Sequence, residues 1–138
     1  MSESILVVED NSDILLLLKL VLESAGYQVT TLDDGREAIT QLETIRPRLI
    51  VMDIMMPEIS GLQVSRQIKE KPDYQSLPIL LVSAVDRLQE DQFSHSKADA
   101  IIYKPFDLEQ LIDKVSELTR VRDRQDNCFE HDEALTKS

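Results

Sequence analysis

Five short apolar runs recur along the chain, each followed by residues at helical spacing. Ile5-Leu6-Val7-Val8, Leu49-Ile50-Val51-Met52 and Ile79-Leu80-Leu81-Val82 are continuously apolar, the pattern of strands buried on both faces. Tyr27 to Thr31 make a weaker strand, and Ala100-Ile101-Ile102-Tyr103 a fifth. The first helix is capped by Asn11 or Ser12, is apolar around much of its circumference from Ile14 to Leu22, and stops at Gly26. Asp34-Gly35-Arg36-Glu37 fits a capping box for a second, which carries Ala38, Ile39, Leu42 and Ile45 inward and ends at Pro47. Ser60-Gly61-Leu62-Gln63 fits another box, opening a third helix with Leu62, Val64 and Ile68. Asp86 to Gln89 cap a short polar fourth helix that has little beyond Leu88 and Phe93 to bury. Asp107 to Gln110 cap a fifth, with Leu108, Leu111, Ile112, Val115 and Leu118 inward.

This alternation predicts an α/β fold: a five-stranded parallel sheet in order 2-1-3-4-5, doubly wound, with helices on both faces. A (β/α)₈ barrel needs far more chain than 138 residues. Residues 3–122 read as one folded unit and 123–138 as a polar tail.

In such sheets, ligands bind beyond the carboxyl ends of the strands. Glu9 and Asp10 end the first strand here, Asp53 the third, Ser83 the fourth and Lys104 the fifth. Each has a plain structural reading as a solvated loop residue or cap. Their convergence on one sheet edge is what makes them candidates. Clustered carboxylates repel one another and favour a hard cation such as magnesium. An Asp carboxylate can attack phosphorus to give an acyl phosphate, while a lysine neutralises charge on the transferred group.

Charge narrows the partners. With 26 acidic against 15 basic residues, the net charge of −11 offers no basic surface for nucleic acid or an anionic membrane. The apolar run of the first helix is interrupted by Lys19 and too short to cross a bilayer, and no signal peptide is evident, so a cytoplasmic location is expected. The single cysteine, Cys128, excludes an internal disulfide, and no Cys/His spacing suggests zinc. His95 and His131 read as solvated residues.

In combination, Glu9-Asp10, Asp53 with Met56-Pro57 and Gly61, Ser83-Ala84 and Lys104-Pro105-Phe106 resemble the receiver domain of two-component response regulators over about residues 3–120. The resemblance implies Asp53 as phosphoacceptor, with Glu9, Asp10, Asp53 and the Met55 carbonyl as Mg2+ ligands. It also implies Ser83 as switch hydroxyl, Lys104 as phosphate contact, and a cis bond before Pro105. A histidine kinase or histidine phosphotransfer protein would be the phosphodonor. A downstream protein, or a second copy in a homodimer, would meet the surface of the fourth helix, fifth strand and fifth helix. The eighteen residues after Arg120 are too few for an output domain, so a stand-alone receiver is expected rather than a piece of a longer regulator.

Three features set the chain apart within the family pattern. The aromatic residue often found three before the lysine is Ile101, while Tyr103, on the same strand face, is offered as a substitute. The usual Gly-Ala before the fifth strand reads Lys97-Ala98. Met55 and Val85, flanking the phosphoryl site, cannot hydrogen-bond an attacking water, so slow self-dephosphorylation is expected. The competing reading is a receiver-fold interaction module that ignores phosphate, for which Ile101 is the one supporting feature. A hydrolase with an external substrate lacks the second Asp at position 55, and a nucleoside-triphosphatase lacks its glycine-rich loop.

Overall fold

Alternate residues of each strand enter two separate cores. Ile5, Val7, Leu49, Val51, Leu80, Val82 and Ile102 face one side; Leu6, Val8, Ile50, Met52, Ile79 and Leu81 face the other. The computed structural model describes residues 4–84 and 89–120. Strands β1 (Ser4–Val8), β2 (Gln28–Leu32), β3 (Leu49–Asp53), β4 (Ile79–Ser83) and β5 (Ala100–Tyr103) form one parallel sheet in the predicted order β2-β1-β3-β4-β5. β3 and β4 are buried at every residue, which is why they read as unbroken apolar runs.

Helix α1 (Ser12–Ser24) and helix α6 (residues 108–120) cover the first core through Leu18, Leu22, Leu111, Val115 and Leu118. The second core takes Ala38 from α2 (Gly35–Thr40), Leu42 from α3 (Leu42–Ile45), and Val64 and Ile68 from α4 (Gly61–Lys69). Helix α5 (Glu90–Ser96) packs beside α4: Ser65 Oγ donates to Ser96 O at 2.9 Å and Arg66 Nη1 to His95 O at 3.1 Å.

Local chemistry sets the boundaries. The Asn11 side chain accepts from the Asp13 and Ile14 amides, and Gly26 follows α1 at φ +100°. The second predicted helix is two pieces. Thr40 Oγ1 donates to Glu37 O at 3.2 Å, competing with the helical ladder, and the chain breaks at Gln41 between α2 and α3. The fourth and fifth predicted helices are therefore α5 and α6. Gln89 caps α5, and its amide donates to Gln92 Oε1 at 3.3 Å. Val85, Asp86 and Leu88, and the segment bearing Cys128 and His131, lie outside the described residues.

The expectation that Leu108 faces inward fails. Leu108 is 42% exposed, because it opens α6 one turn before Leu111 reaches the sheet. Lys69, a charge on an otherwise amphipathic helix, is only 6% exposed. Its ammonium donates to Asp99 Oδ2 at 2.7 Å and to Gln75 O at 3.3 Å, and Asp99 also accepts the Ile79 amide at 2.8 Å. This brace joins the end of α4 to the starts of β4 and β5. A buried ammonium demands such partners.

Helix α1 carries more apolar residues than the core accepts. Leu16, Leu17 and Leu20 form an outward stripe, 55%, 48% and 55% exposed. Among the described residues, no helix is long and apolar enough to cross a membrane.

Candidate functional site

Strand register assembles the site. Val8 pairs with Met52 across β1 and β3, so Glu9 leaves β1 beside Asp53, the last residue of β3. The Lys104 amide donates to Ser83 O at 2.7 Å, which anchors the lysine backbone at the end of β4, and the Lys104–Pro105 peptide is cis. Continuing the strand alternation, Glu9, Asp53 and Lys104 fall on the α1/α6 side of the sheet. Lys104 Nζ lies 3.4 Å from Glu9 Oε1 and 3.8 Å from Asp53 Oδ2. Asp10 completes a trio in which one oxygen from each of Glu9, Asp10 and Asp53 lies within 4.8 Å of the others. Residues far apart in sequence thus meet at one corner.

Glu9 is 1% exposed and Asp53 7%, whereas Asp10 is open to solvent. Burial pushes the Glu9 carboxyl up to about 7 from an ordinary 4.5, and the Asp53 charge and a hydrogen bond with Asp53 push the same way. The Asn11 amide, donating to Glu9 Oε2 at 3.2 Å, and the Lys104 ammonium pull against them without restoring the ordinary value. Three carboxylates against one ammonium leave local negative charge in excess. An all-oxygen donor set of this kind fits a hard divalent cation.

The Met55 amide donates to Asp53 Oδ1 at 3.4 Å, while its side chain stands 58% exposed at the mouth of the site. Ser83 is fully buried and, with Ile101 and Tyr103, alternates onto the α4/α5 side. Ser83 and Tyr103 are register partners, whereas Ile101 pairs with Leu81 one step deeper and packs against the second core. Lys97 adopts φ 61° as the C-cap of α5, which explains why glycine would suit that position. His95 lies exposed on α5, outside the carboxylate trio.

One neighbour of the site gave no sequence signal of its role. Gly61 opens α4 so close to β3 that a Cβ there would sit 2.2 Å from the Asp53 carbonyl oxygen. As sequence it reads as a residue of the capping box and of the Asp53 motif, without the contact itself, which depends on where the helix lands.

Comparison with known proteins agrees with this geometry. Residues 5–116 match the model of the response regulator receiver domain. The polar-differentiation response regulator DivK of Brucella anthropi is 31% identical over 83% of this chain and 94% of its own length. The alkaline phosphatase synthesis transcriptional regulatory protein PhoP of Bacillus subtilis is 36% identical over 87% of this chain and 50% of its own. The chain spans about half the length of several curated relatives it matches. Among solved structures, the response regulator TrrA from Thermotoga maritima, in complex with Mg2+ and BeF, is 35% identical and superposes with a TM-score of 0.76, covering 84% of this chain and 98% of that one. With the family match running from β1 into α6, the chain belongs to the response regulator receiver domains of two-component signalling.

Proposed function

We propose that this chain is a phosphorylation-controlled switch that accepts a phosphoryl group on Asp53. The observation carrying that reading is the single corner where Glu9, Asp53 and Lys104 meet. The donor is a histidine kinase or histidine phosphotransfer protein. An Asp53 oxygen attacks phosphorus as the phosphohistidine P–N bond breaks, the electron pair returns to the imidazole nitrogen, and an acyl phosphate results. Lys104 neutralises charge on the transferred oxygens, and the Ser83 hydroxyl donates to one of them. Glu9, Asp10, Asp53 and the Met55 carbonyl would hold Mg2+, which supplies charge neutralisation at the phosphoryl group. The all-oxygen trio, and the Mg2+ bound by the Thermotoga maritima relative, support that assignment.

Turnover is internal. Water attacks phosphorus, the P–O bond to Asp53 breaks, and inorganic phosphate leaves a restored carboxylate; no external substrate is converted. Phosphorylation adds close to two negative charges. Ser83 moving toward them would disturb its register partner Tyr103, and that pairing supports Tyr103 as the aromatic part of the switch where the usual position holds Ile101. The face of α5, β5 and α6 then changes for a downstream protein or a second copy, a shift between two populations. The leucine stripe on α1 offers the phosphodonor an apolar docking face. A chain of net charge −11 favours protein partners over nucleic acid.

Intact-protein mass after incubation with acetyl phosphate and Mg2+, beside Asp53→Asn, tests the reading. One phosphoryl group gained by the wild type alone is the expected result. No gain from acetyl phosphate or from a histidine kinase, with the fold intact, would leave the phosphate-independent interaction module as the better account.

A further inference from the structure

Helix α4 starts hard against the last peptide of β3. The Gly61 amide donates to Ile54 O at 2.8 Å, and Ser60 Oγ caps the same turn by accepting from the Leu62 amide at 3.1 Å. A Cβ at position 61 would meet Asp53 O at 2.2 Å, Ile54 Cα at 2.9 Å and the Asp53 carbonyl carbon at 3.0 Å. All three are backbone atoms, so no change of rotamer relieves the clash. The demand here is for space, since the φ of Gly61 is not in the left-handed range.

Gly35 provides the contrast. A Cβ there would meet Met56 Cε at 2.9 Å, Val64 Cγ2 at 2.9 Å and Ile59 Cγ2 at 3.2 Å, all of them side-chain atoms. The Met56 methyl ends a flexible side chain and can turn aside, whereas the Val64 and Ile59 methyls branch from Cβ and must shift with their own backbone; none of these atoms belongs to Asp53.

We propose that Gly61 is a positioning residue for Asp53. By letting α4 seat directly on the final peptide of β3, it sets where the Asp53 carboxylate stands relative to Lys104 and Glu9. Ordinary contact begins near 3.4 Å, so any side chain at position 61 must drive the Asp53 peptide and the helix apart by roughly 1 Å. Misplacement on that scale slows a positioned reaction by up to about a hundredfold. The kinetic consequence rests on Asp53 being the phosphoryl acceptor; the placement of its side chain can be read without that assumption.

The test compares Gly61→Ala with Gly35→Ala in the full chain. Carboxyl ¹³C NMR of the metal-free protein reports the surroundings of Asp53, and acetyl phosphate with Mg2+ gives the phosphorylation rate at saturation and the half-saturating donor concentration. Gly61→Ala should move the Asp53 resonance and slow the saturating rate by about ten- to a hundredfold, with little change in half-saturation. Gly35→Ala should leave resonance and rate close to wild type, even where its thermal midpoint falls as far. An Asp53 resonance and rate in Gly61→Ala indistinguishable from those of Gly35→Ala would overturn the proposal. Should the wild type take up no phosphoryl group from either acetyl phosphate or a histidine kinase, the functional reading falls, and the carboxyl resonance alone decides the role of Gly61. If Gly61→Ala does not fold, Ser60→Ala loosens the same turn: a shifted Asp53 resonance supports the proposal and an unshifted one refutes it.

Discussion

Magnesium binding to this chain should release a proton near neutral pH, and Glu9 should be its main source. In the metal-free protein, burial holds the Glu9 carboxyl at about 7, against an ordinary 4.5. A cation at the site needs that carboxyl ionised, so protons compete with metal below the raised pKa. For one group titrating at about 7, going from about pH 8 to about pH 6 should weaken the apparent Mg2+ Kd about tenfold. The stability of the metal-free protein follows the same group. Because its folded-state pKa is raised, the stabilisation is fully present below the unfolded value of 4.5 and is lost as pH rises through about 7. At about 1.4 kcal/mol per pKa unit, the loss is on the order of 3 kcal/mol, a fall in Tm of about 10 °C. Calorimetric Mg2+ titrations in two buffers of different ionisation enthalpy count the protons released, and thermal melts with and without Mg2+ follow stability. Glu9→Gln should flatten both pH profiles. A Mg2+ affinity unchanged between the two pH values, or a Glu9→Gln protein with the wild-type pH dependence, would refute the reasoning.

Other expectations concern separate parts of the molecule. Leu16→Asp with Leu20→Asp should lower phosphotransfer from a histidine phosphotransfer protein by tenfold or more, taking about 1.4 kcal/mol or more from docking, while acetyl phosphate labelling stays unchanged. Met55→Asn with Val85→Glu should speed loss of the phosphoryl group, followed by intact mass over time; an unchanged lifetime would count against a role for these two side chains. Asp99→Ala leaves the Lys69 ammonium buried beside only the Gln75 carbonyl, and should destabilise the fold by about 2 kcal/mol in urea titrations. The figure lies below the usual range for breaking a buried pair because Asp99 is more than a third exposed.

The sheet was legible because burial on both faces leaves a strand almost no choice but apolar residues, as in Ile50-Val51-Met52 and Leu80-Leu81-Val82. Site candidates were legible for a related reason: polar residues that interrupt such runs at strand ends must gather at one edge of a parallel sheet. Helix details were less so. The composition of α1 announced surplus leucine without saying that Leu16, Leu17 and Leu20 would face outward, since Leu15 and Leu18 beside them are equally apolar. Leu108 matched the inward spacing of α6, yet its place in the first turn leaves it uncovered.

By itself, then, the sequence determined the order and type of the elements, their parallel arrangement, and the set of charged residues brought to one end of the sheet. These follow from local spacing and from which residues water excludes. Tertiary structure alone decided that Glu9, 95 residues from Lys104 along the chain, lies close enough to that lysine and to Asp53 for both to act on its titration. It likewise decided that Lys69 is buried against Asp99 and that Gly61 bears on the Asp53 peptide. Each of these depends on the register and seating of elements distant along the chain, and a few ångströms of sliding would abolish the contact without altering the local pattern from which the elements are read.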